Sequence, residues 1–464
     1  MVNLKAPRIR RQAVSVTRKM AAALPGLRDL ARQKGKKIHH LGAGYPHPEV
    51  TDPRAFLEHQ AAYFRHLEQA EGLNDPAQVP EHLRESYSYT DTLGPVTTRR
   101  SFARVYGRDW GVALDPDKLV PTVGATGGIS LMCSLFERPG TPVAYVTDAP
   151  TYAGFLARAA LCQHARIYSV ELDDEGPDVA RLREQIRAAR DAGFDVPFYY
   201  TVPDGHNPAG FSFSQARREA VVEVAREEGV LIVEDAPYLY INYAPAGARP
   251  KPFLALAPDQ TVHLFTGSKI GFPGPRVGFL YSEAEIAIAG GDTVPLKELA
   301  LTEASADILF QNPGALRGFE ALLHDADFIE RESLWPVAET KLAIYRENRR
   351  IMLEGLARGL GDHPEHFHWT EPDAGFFTVF SFKTPGVRTD DEFVSALVAE
   401  HGVVVIPMYD FYPRDARERN PDAGLDQLRL SFCFSESTGE QRRKDLTEAV
   451  DAFCTAARAA AGSL

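Results

Sequence analysis

Val262 to Tyr281 read VHLFTGSKIGFPGPRVGFLY. The run opens with an apolar strand ending at Thr266, turns through Gly267-Ser268-Lys269, and returns to an apolar strand at Val277 after Pro273-Gly274-Pro275-Arg276. A lysine is ordinarily a solvated surface group. Directly behind a buried strand, with an arginine seven residues later, it is suited to chemistry. Arg276 can grip a phosphate bidentately, and Lys269 can bond a carbonyl carbon once desolvation lowers its pKa.

Working outward, the same design repeats. Leu119 to Val123, Val143 to Thr147, Ile167 to Val170, Phe198 to Val202 and Val230 to Glu234 read as short apolar strands. Pro95 to Trp110, Gly127 to Phe136, Ala180 to Ala192 and Ser214 to Glu228 have helical spacing between them. Continuous apolar strands alternating with helices predict an α/β core, a mostly parallel sheet covered on both faces. The tail differs. Long helical patterns at Pro336 to Gly359 and Gly439 to Ala461 flank shorter strands at Phe377 to Phe382, Val403 to Ile406 and Leu428 to Phe432, as in a smaller α+β unit. The expected organisation is an N-terminal arm over 1–50 packing on the small domain, a large domain over 51–330 and a small C-terminal domain over 331–464.

Composition bounds the function. The 464 residues carry 51 Lys+Arg against 63 Asp+Glu, a net charge of −12, with 44% hydrophobic and 25% charged residues. These are globular values, and the acidic balance argues against a general nucleic-acid binder. Four scattered cysteines, with no CxxC pair, make no disulfide framework or metal site and fit a reduced, cytoplasmic setting. No run has the length and apolarity of a membrane span. The first 28 residues hold seven Lys/Arg and no acid, as a transit peptide does, but without an apolar signal core, and read as a solvated arm in preference to a transit peptide.

In open parallel sheets ligands bind beyond the carboxyl ends of the strands, so the residues just after each strand carry the function. Behind the first strand lies Gly124-Ala125-Thr126-Gly127-Gly128, a glycine turn opening a helix whose free N–H groups favour an anion. Taken singly, it could be a plain tight turn. Pro150-Thr151-Tyr152 offers an aromatic ring for stacking, Asp204-Gly205-His206-Asn207-Pro208 an amide, and Glu234-Asp235-Ala236-Pro237-Tyr238 a carboxylate and a phenol.

Together with Gly44-Tyr45-Pro46-His47-Pro48-Glu49 and Tyr87-Ser88-Tyr89, these motifs follow a known order. The sequence resembles the fold-type-I, class I/II aminotransferases that use pyridoxal 5′-phosphate (PLP), most nearly the kynurenine/2-aminoadipate (aromatic) subgroup, over about residues 38–434. The resemblance implies that Lys269 bonds the cofactor and moves the proton of catalysis. It implies that Asp235 pairs with the pyridine nitrogen, that Asn207 and Tyr238 bind the ring's phenolic oxygen, and that Tyr152 stacks on the ring. Ala125, Thr126, Thr266, Ser268 and Arg276 would hold the phosphate. Tyr89 would reach the phosphate of a neighbouring subunit in a homodimer with shared active sites. Arg429 would clamp the substrate α-carboxylate, with Gly44 beside it, and His206 and Tyr409 would lie near the substrate. The implied reaction is ping-pong transfer of an amino group from an L-amino acid, aromatic or 2-aminoadipate-like, to a 2-oxo acid.

Some features depart from the pattern. Ala125-Thr126 stand where many relatives have Ser-Gln, Thr266 where Ser is usual, and Pro275 where an aliphatic residue is common. His66 to Glu81 and part of Ala287 to Ala304 read as insertions that could reshape the substrate entrance. Lys269, Asp235 and Arg276 would serve equally a PLP-dependent lyase, cyclase, decarboxylase or oxidase, so the motifs leave that alternative open. A nicotinamide dehydrogenase is disfavoured because no G-x-G-x-x-G follows a strand. No distal arginine for a second substrate carboxylate stands out beyond a bare guess at Arg18.

Overall fold

The computed structural model describes residues 15–462 except 74, 76, 139 and 434–436, so the first fourteen residues of the expected arm lie outside the described residues. An eight-stranded sheet forms the large core. Its strands are β1 (Val120–Val123), β2 (Val143–Ala149), β3 (Ala165–Asp173), β4 (Gly176–Pro177), β5 (Phe198–Thr201), β6 (Leu231–Asp235), β7 (Thr261–Thr266) and β8 (Val277–Tyr281), in the spatial order β1-β8-β7-β6-β5-β2-β3-β4. Strands β7, β6, β5, β2 and β3 run parallel, while β8 is antiparallel to both β7 and β1. The carboxyl ends of β1, β2, β5, β6 and β7 therefore share one edge with the amino end of β8. That topology explains why a residue preceding β8, Arg276, can join residues that follow the other strands.

Burial accounts for the strand sequences. All seven residues of β2 and all five of β6 are buried, as expected where helices cover both faces. The covering helices carry local stop and start signals. Asp178 caps Val179–Asp191 by accepting from the Ala180 and Arg181 N–H groups, and Ser214 caps Gln215–Glu228, which Gly229 closes at φ 59°.

A second sheet of Phe367–Trp369, Phe377–Phe382, Gln427–Ser431 and Ile406–Pro407 is antiparallel throughout. The helix Trp335–Leu360 serves both cores: Ala338, Leu342 and Tyr345 pack into the large one, and Met352, Leu356 and Leu360 into the small one. The single strand expected over Val403 to Ile406 is divided. Val403–Val404 pairs in parallel with His39–His40, and Ile406–Pro407 pairs with Gln427–Ser431, because the chain changes sheets at Val405. The N-terminal helix Val16–Gln33 lies against this unit. Val16 packs with Ile406, Met408 and Phe411, and Lys19 pairs with Asp391 at 2.5 Å.

Candidate active site

The turn after β7 is a four-residue helix, Gly267–Ile270, with Thr266 as its cap: the Thr266 hydroxyl accepts from the Ser268 N–H. The Thr266 Oγ1 donates to Ser268 Oγ at 3.0 Å, and Arg276 Nη1 donates to the same oxygen at 3.2 Å. Thr266, Ser268 and Arg276 thus form one cluster facing the start of Gly124–Phe136. That helix begins at Gly124, three residues before the expected Gly127, so the N–H groups of Ala125 and Thr126 belong to its first, unpaired turn. Gly124 sits at φ +63°, and a Cβ there would stand 2.5 Å from Arg276 Nη2. The glycine therefore makes room for the arginine, which also donates to the Val123 carbonyl at 3.3 Å. Free helical N–H groups beside an arginine and two hydroxyls make an anion cradle.

Lys269 Nζ donates to the Gly44 carbonyl at 3.2 Å and lies 5.7 Å from the Tyr238 ring and 5.6 Å from Phe376. Burial lowers its pKa from 10.5 to about 8, and the charges of Arg276 and Arg429 add to the shift. That change corresponds to roughly 3 kcal/mol against the ammonium form. A lysine so placed is available as a neutral nucleophile and base at moderate pH.

Asp235 ends β6 and is buried. Its Oδ2 accepts from the Tyr200 hydroxyl at 2.7 Å, while its Oδ1 is buried without a hydrogen-bond partner. Burial raises the carboxyl to about 6, against the opposing Tyr200 hydrogen bond and the charge of Lys269. An orphaned buried carboxylate oxygen calls for a donor, and a protonated ring nitrogen supplies one. Tyr152 follows β2. Gly154 leaves its ring space, since a Cβ there would come within 2.4 Å of it. Burial raises the Tyr152 hydroxyl, the Asp235 charge adding to the effect.

Arg429 is buried on the strand Gln427–Ser431. It donates from Nη1 to Asn207 Oδ1 at 2.8 Å and from Nη2 to the Gly42 carbonyl at 3.2 Å, and its Nε has no partner. Its guanidinium lies 4.0 Å from the Phe377 ring and 5.0 Å from Phe411. Burial lowers its pKa to about 10. A Cβ on Gly44 would meet Phe377 at 3.3 Å and Arg429 Nη2 at 3.5 Å, so the glycine leaves room beside the guanidinium. Tyr238 is buried, edge-on to Phe376 at 5.4 Å.

The structure thus gathers Ala125, Thr126, Tyr152, Asn207, Asp235, Tyr238, Thr266, Ser268, Lys269 and Arg276 at one edge of the large sheet, and Gly44 and Arg429 join them through Lys269 and Asn207. Tyr89 stands apart, 88% exposed, with its ring edge-on to Phe310 at 6.0 Å. His206 does not face a substrate space as expected. It is wholly buried, with Nε2 against Asp148 Oδ2 at 3.1 Å and Nδ1 accepting from the Ala209 N–H, so it braces the loop that carries Asn207. Tyr409 packs under Arg417, 4.5 Å from its guanidinium, beside a surface recess lined by Lys19 and Asp390. Sequence reasoning missed Tyr200, Phe377 and Phe411. Only the aromatic richness of Phe198-Tyr199-Tyr200, Phe376-Phe377 and Tyr409-Asp410-Phe411-Tyr412 signals them.

The residues fit a phosphate-bearing pyridine aldehyde. The cradle would take the phosphate, Asp235 Oδ1 the ring nitrogen, Tyr152 a ring face and Lys269 the carbonyl carbon. Among the described residues there is no grouping that could hold a metal ion, and no helix is long and apolar enough to cross a membrane.

The family model for aminotransferase class I and II matches residues 78–437. An (S)-3,5-dihydroxyphenylglycine transaminase of Amycolatopsis orientalis is 29% identical over 398 residues, covering 85% of this chain and 83% of its own. Aromatic-amino-acid aminotransferase 1 of Thermococcus litoralis is 25% identical, covering 77% of this chain and 78% of its own. The crystal structure of a kynurenine aminotransferase from Pyrococcus horikoshii superposes with a TM-score of 0.75 at 22% identity, covering 99% of this chain and 97% of its own.

Proposed function

The chain belongs to the aminotransferase class I and II family, and from that premise we propose how its residues carry out the reaction and on which substrates. It is a PLP-dependent enzyme that transfers amino groups. When bound, PLP supplies an electron sink for negative charge developing at the amino acid's Cα. The chain's own groups do the rest. Ala125, Thr126, Thr266, Ser268 and Arg276 hold the phosphate, and Asp235 Oδ1 accepts from the ring nitrogen and keeps it protonated. Asn207 and Tyr238 donate to the ring's phenolic oxygen, and Tyr152 covers one face. Arg429 would grip the substrate α-carboxylate and so orient the Cα–H bond toward Lys269, whose Nζ would take the proton from Cα and deliver it to the cofactor's aldehyde carbon.

The observation that carries this reading is the placement of the two cations about Gly44. Lys269 donates to its carbonyl, while Arg429 stands 3.5 Å from where its Cβ would be, with Nε still unpartnered. One small amino acid can therefore meet both. The named relatives catalyse transamination, which favours amino transfer over elimination or decarboxylation.

The proposed donors are aromatic or 2-aminoadipate-like L-amino acids. The aromatic walls Phe377 and Phe411 and the names of the relatives support the first class. Arg18, exposed on the N-terminal helix and close enough for its charge to act on the Tyr152 hydroxyl, supports the second. Initial rates with L-phenylalanine, L-kynurenine, L-2-aminoadipate and L-aspartate, each against 2-oxoglutarate, test this. A preference for L-aspartate would overturn it, and loss of 2-aminoadipate activity alone in Arg18→Ala would identify the distal contact.

We further propose a homodimer in the cytoplasm. Tyr87, 85% exposed, lines a cavity of about 400 Å³ with Phe56, Phe64, Phe272 and Phe319, and Tyr89, two residues on, is 88% exposed. Large aromatic side chains at an apolar recess mark an interface. Sedimentation of a monomer at micromolar concentration would contradict it.

A further inference from the structure

We propose that Tyr200 is a positioning residue for the cofactor, deciding which oxygen of Asp235 meets the ring nitrogen and keeping that carboxyl ionised. The proposal rests on the reading of Asp235 given above. Tyr200 lies on β5, the strand beside β6, with Tyr200 opposite Val233 and Thr201 opposite Glu234. Its ring is wholly buried and stacks on Phe155 with centroids 4.0 Å apart and planes at 11°. The ring position is therefore fixed by packing, and the hydroxyl reaches a single acceptor, Asp235 Oδ2, at 2.7 Å.

The chemistry follows from that single bond. A carboxylate rotates about its terminal torsion, and its two oxygens are equivalent until something distinguishes them. Tyr200 occupies Oδ2, so Oδ1 is left buried and open. A phenol donating to a carboxylate also favours the charged form, against a burial that pushes Asp235 towards protonation. A phenylalanine at 200 would serve the stack on Phe155 equally well. The hydroxyl, costly to bury unless bonded, is spent on this carboxylate.

Tyr200→Phe keeps the ring and removes one oxygen. The test measures the PLP dissociation constant of refolded, cofactor-free protein, the melting temperature, and kcat and KM for wild type, Tyr200→Phe and Asp235→Asn. The expected result is a melting temperature near that of wild type, an affinity for PLP about tenfold weaker, and kcat reduced with KM for the amino acid little changed, the size of one hydrogen bond to a charged group. Phe155→Leu, which keeps the hydroxyl but frees the ring, should weaken PLP in the same direction by less. Wild-type affinity and kcat in Tyr200→Phe, alongside lost affinity in Asp235→Asn, would overturn the proposal while sparing the role of Asp235. Wild-type affinity in Asp235→Asn would overturn both.

Discussion

Arg429 Nη1 donates to Asn207 Oδ1 at 2.8 Å, joining the residue that would bind the substrate to one that would bind the cofactor ring. Because the amide oxygen is occupied, the Asn207 Nδ2 group is turned to donate elsewhere, as a contact to the ring's phenolic oxygen requires. One buried bond would then couple the two functions.

Replacing Arg429 should therefore disturb both. Arg429→Lys keeps a charge but cannot serve Asn207, Gly42 and a carboxylate together. The expected loss in kcat/KM is roughly 30- to 1,000-fold, the usual cost of breaking a buried charge-assisted pair. The visible band of the bound cofactor should shift even without substrate. Spectra and steady-state rates check this, and an unshifted band would mean that Asn207 is oriented independently.

Asp235 is held at a cost to the fold. Its carboxyl is raised from 3.8 to about 6, so between those pH values the folded chain binds more protons than the unfolded one, and stability falls as pH rises. At neutral pH the deficit in the cofactor-free protein is roughly 3 kcal/mol. Asp235→Asn should then raise the melting temperature of the cofactor-free protein at pH 7, with no gain at pH 4, while lowering kcat by about 10²–10³-fold. Melting curves at the two pH values decide it.

Gly124→Ala should act at the phosphate. At φ +63° a side chain costs about 1 kcal/mol, and the new methyl would displace Arg276 from the position it holds over Val123 and Ser268. Affinity for PLP should fall at least about tenfold, with only a modest change in melting temperature. Titration with PLP and with inorganic phosphate would show whether the loss lies at the phosphate.

Much of this site was legible in the sequence because it depends on strand ends. Gly124, Asp235 and Lys269 each follow an apolar run, and the parallel topology alone brings such positions together. The antiparallel β8 explains why Arg276 precedes its strand instead. What was not legible depends on register and on packing across strands. Tyr200 reaches Asp235 only because Thr201 pairs with Glu234, and nothing local to Phe198-Tyr199-Tyr200 fixes that pairing. His206, adjacent to Asn207, looks like a substrate residue from the sequence. The structure turns it inward because Asp148, also bonded by Tyr199 and by Thr201 at 2.7 Å, lies beneath it. The split at Val405 was hidden because Val403 to Ile406 is uniformly apolar.

The depressed pKa of Lys269 has its own signature. In cofactor-free protein the amine should react with an acylating reagent along a curve with its midpoint near pH 8, where surface lysines remain protonated. Lys341 is also lowered to about 8, but its Nζ is enclosed by the Val50 and Gly271 carbonyls at 3.0 and 2.8 Å and should stay unmodified. Peptide mass spectrometry across pH separates the two, and saturation of Lys269 only near pH 10.5 would contradict its placement.

The most direct test is the visible absorption spectrum of the purified protein while a panel of L-amino acids is added. A cofactor band present in the wild type and absent in Lys269→Ala, bleached by an aromatic or 2-aminoadipate-like amino acid and restored by a 2-oxo acid, is the result expected of this enzyme. A protein that stays colourless after incubation with PLP, or a band consumed with release of ammonia or carbon dioxide and not restored by any 2-oxo acid, would contradict it.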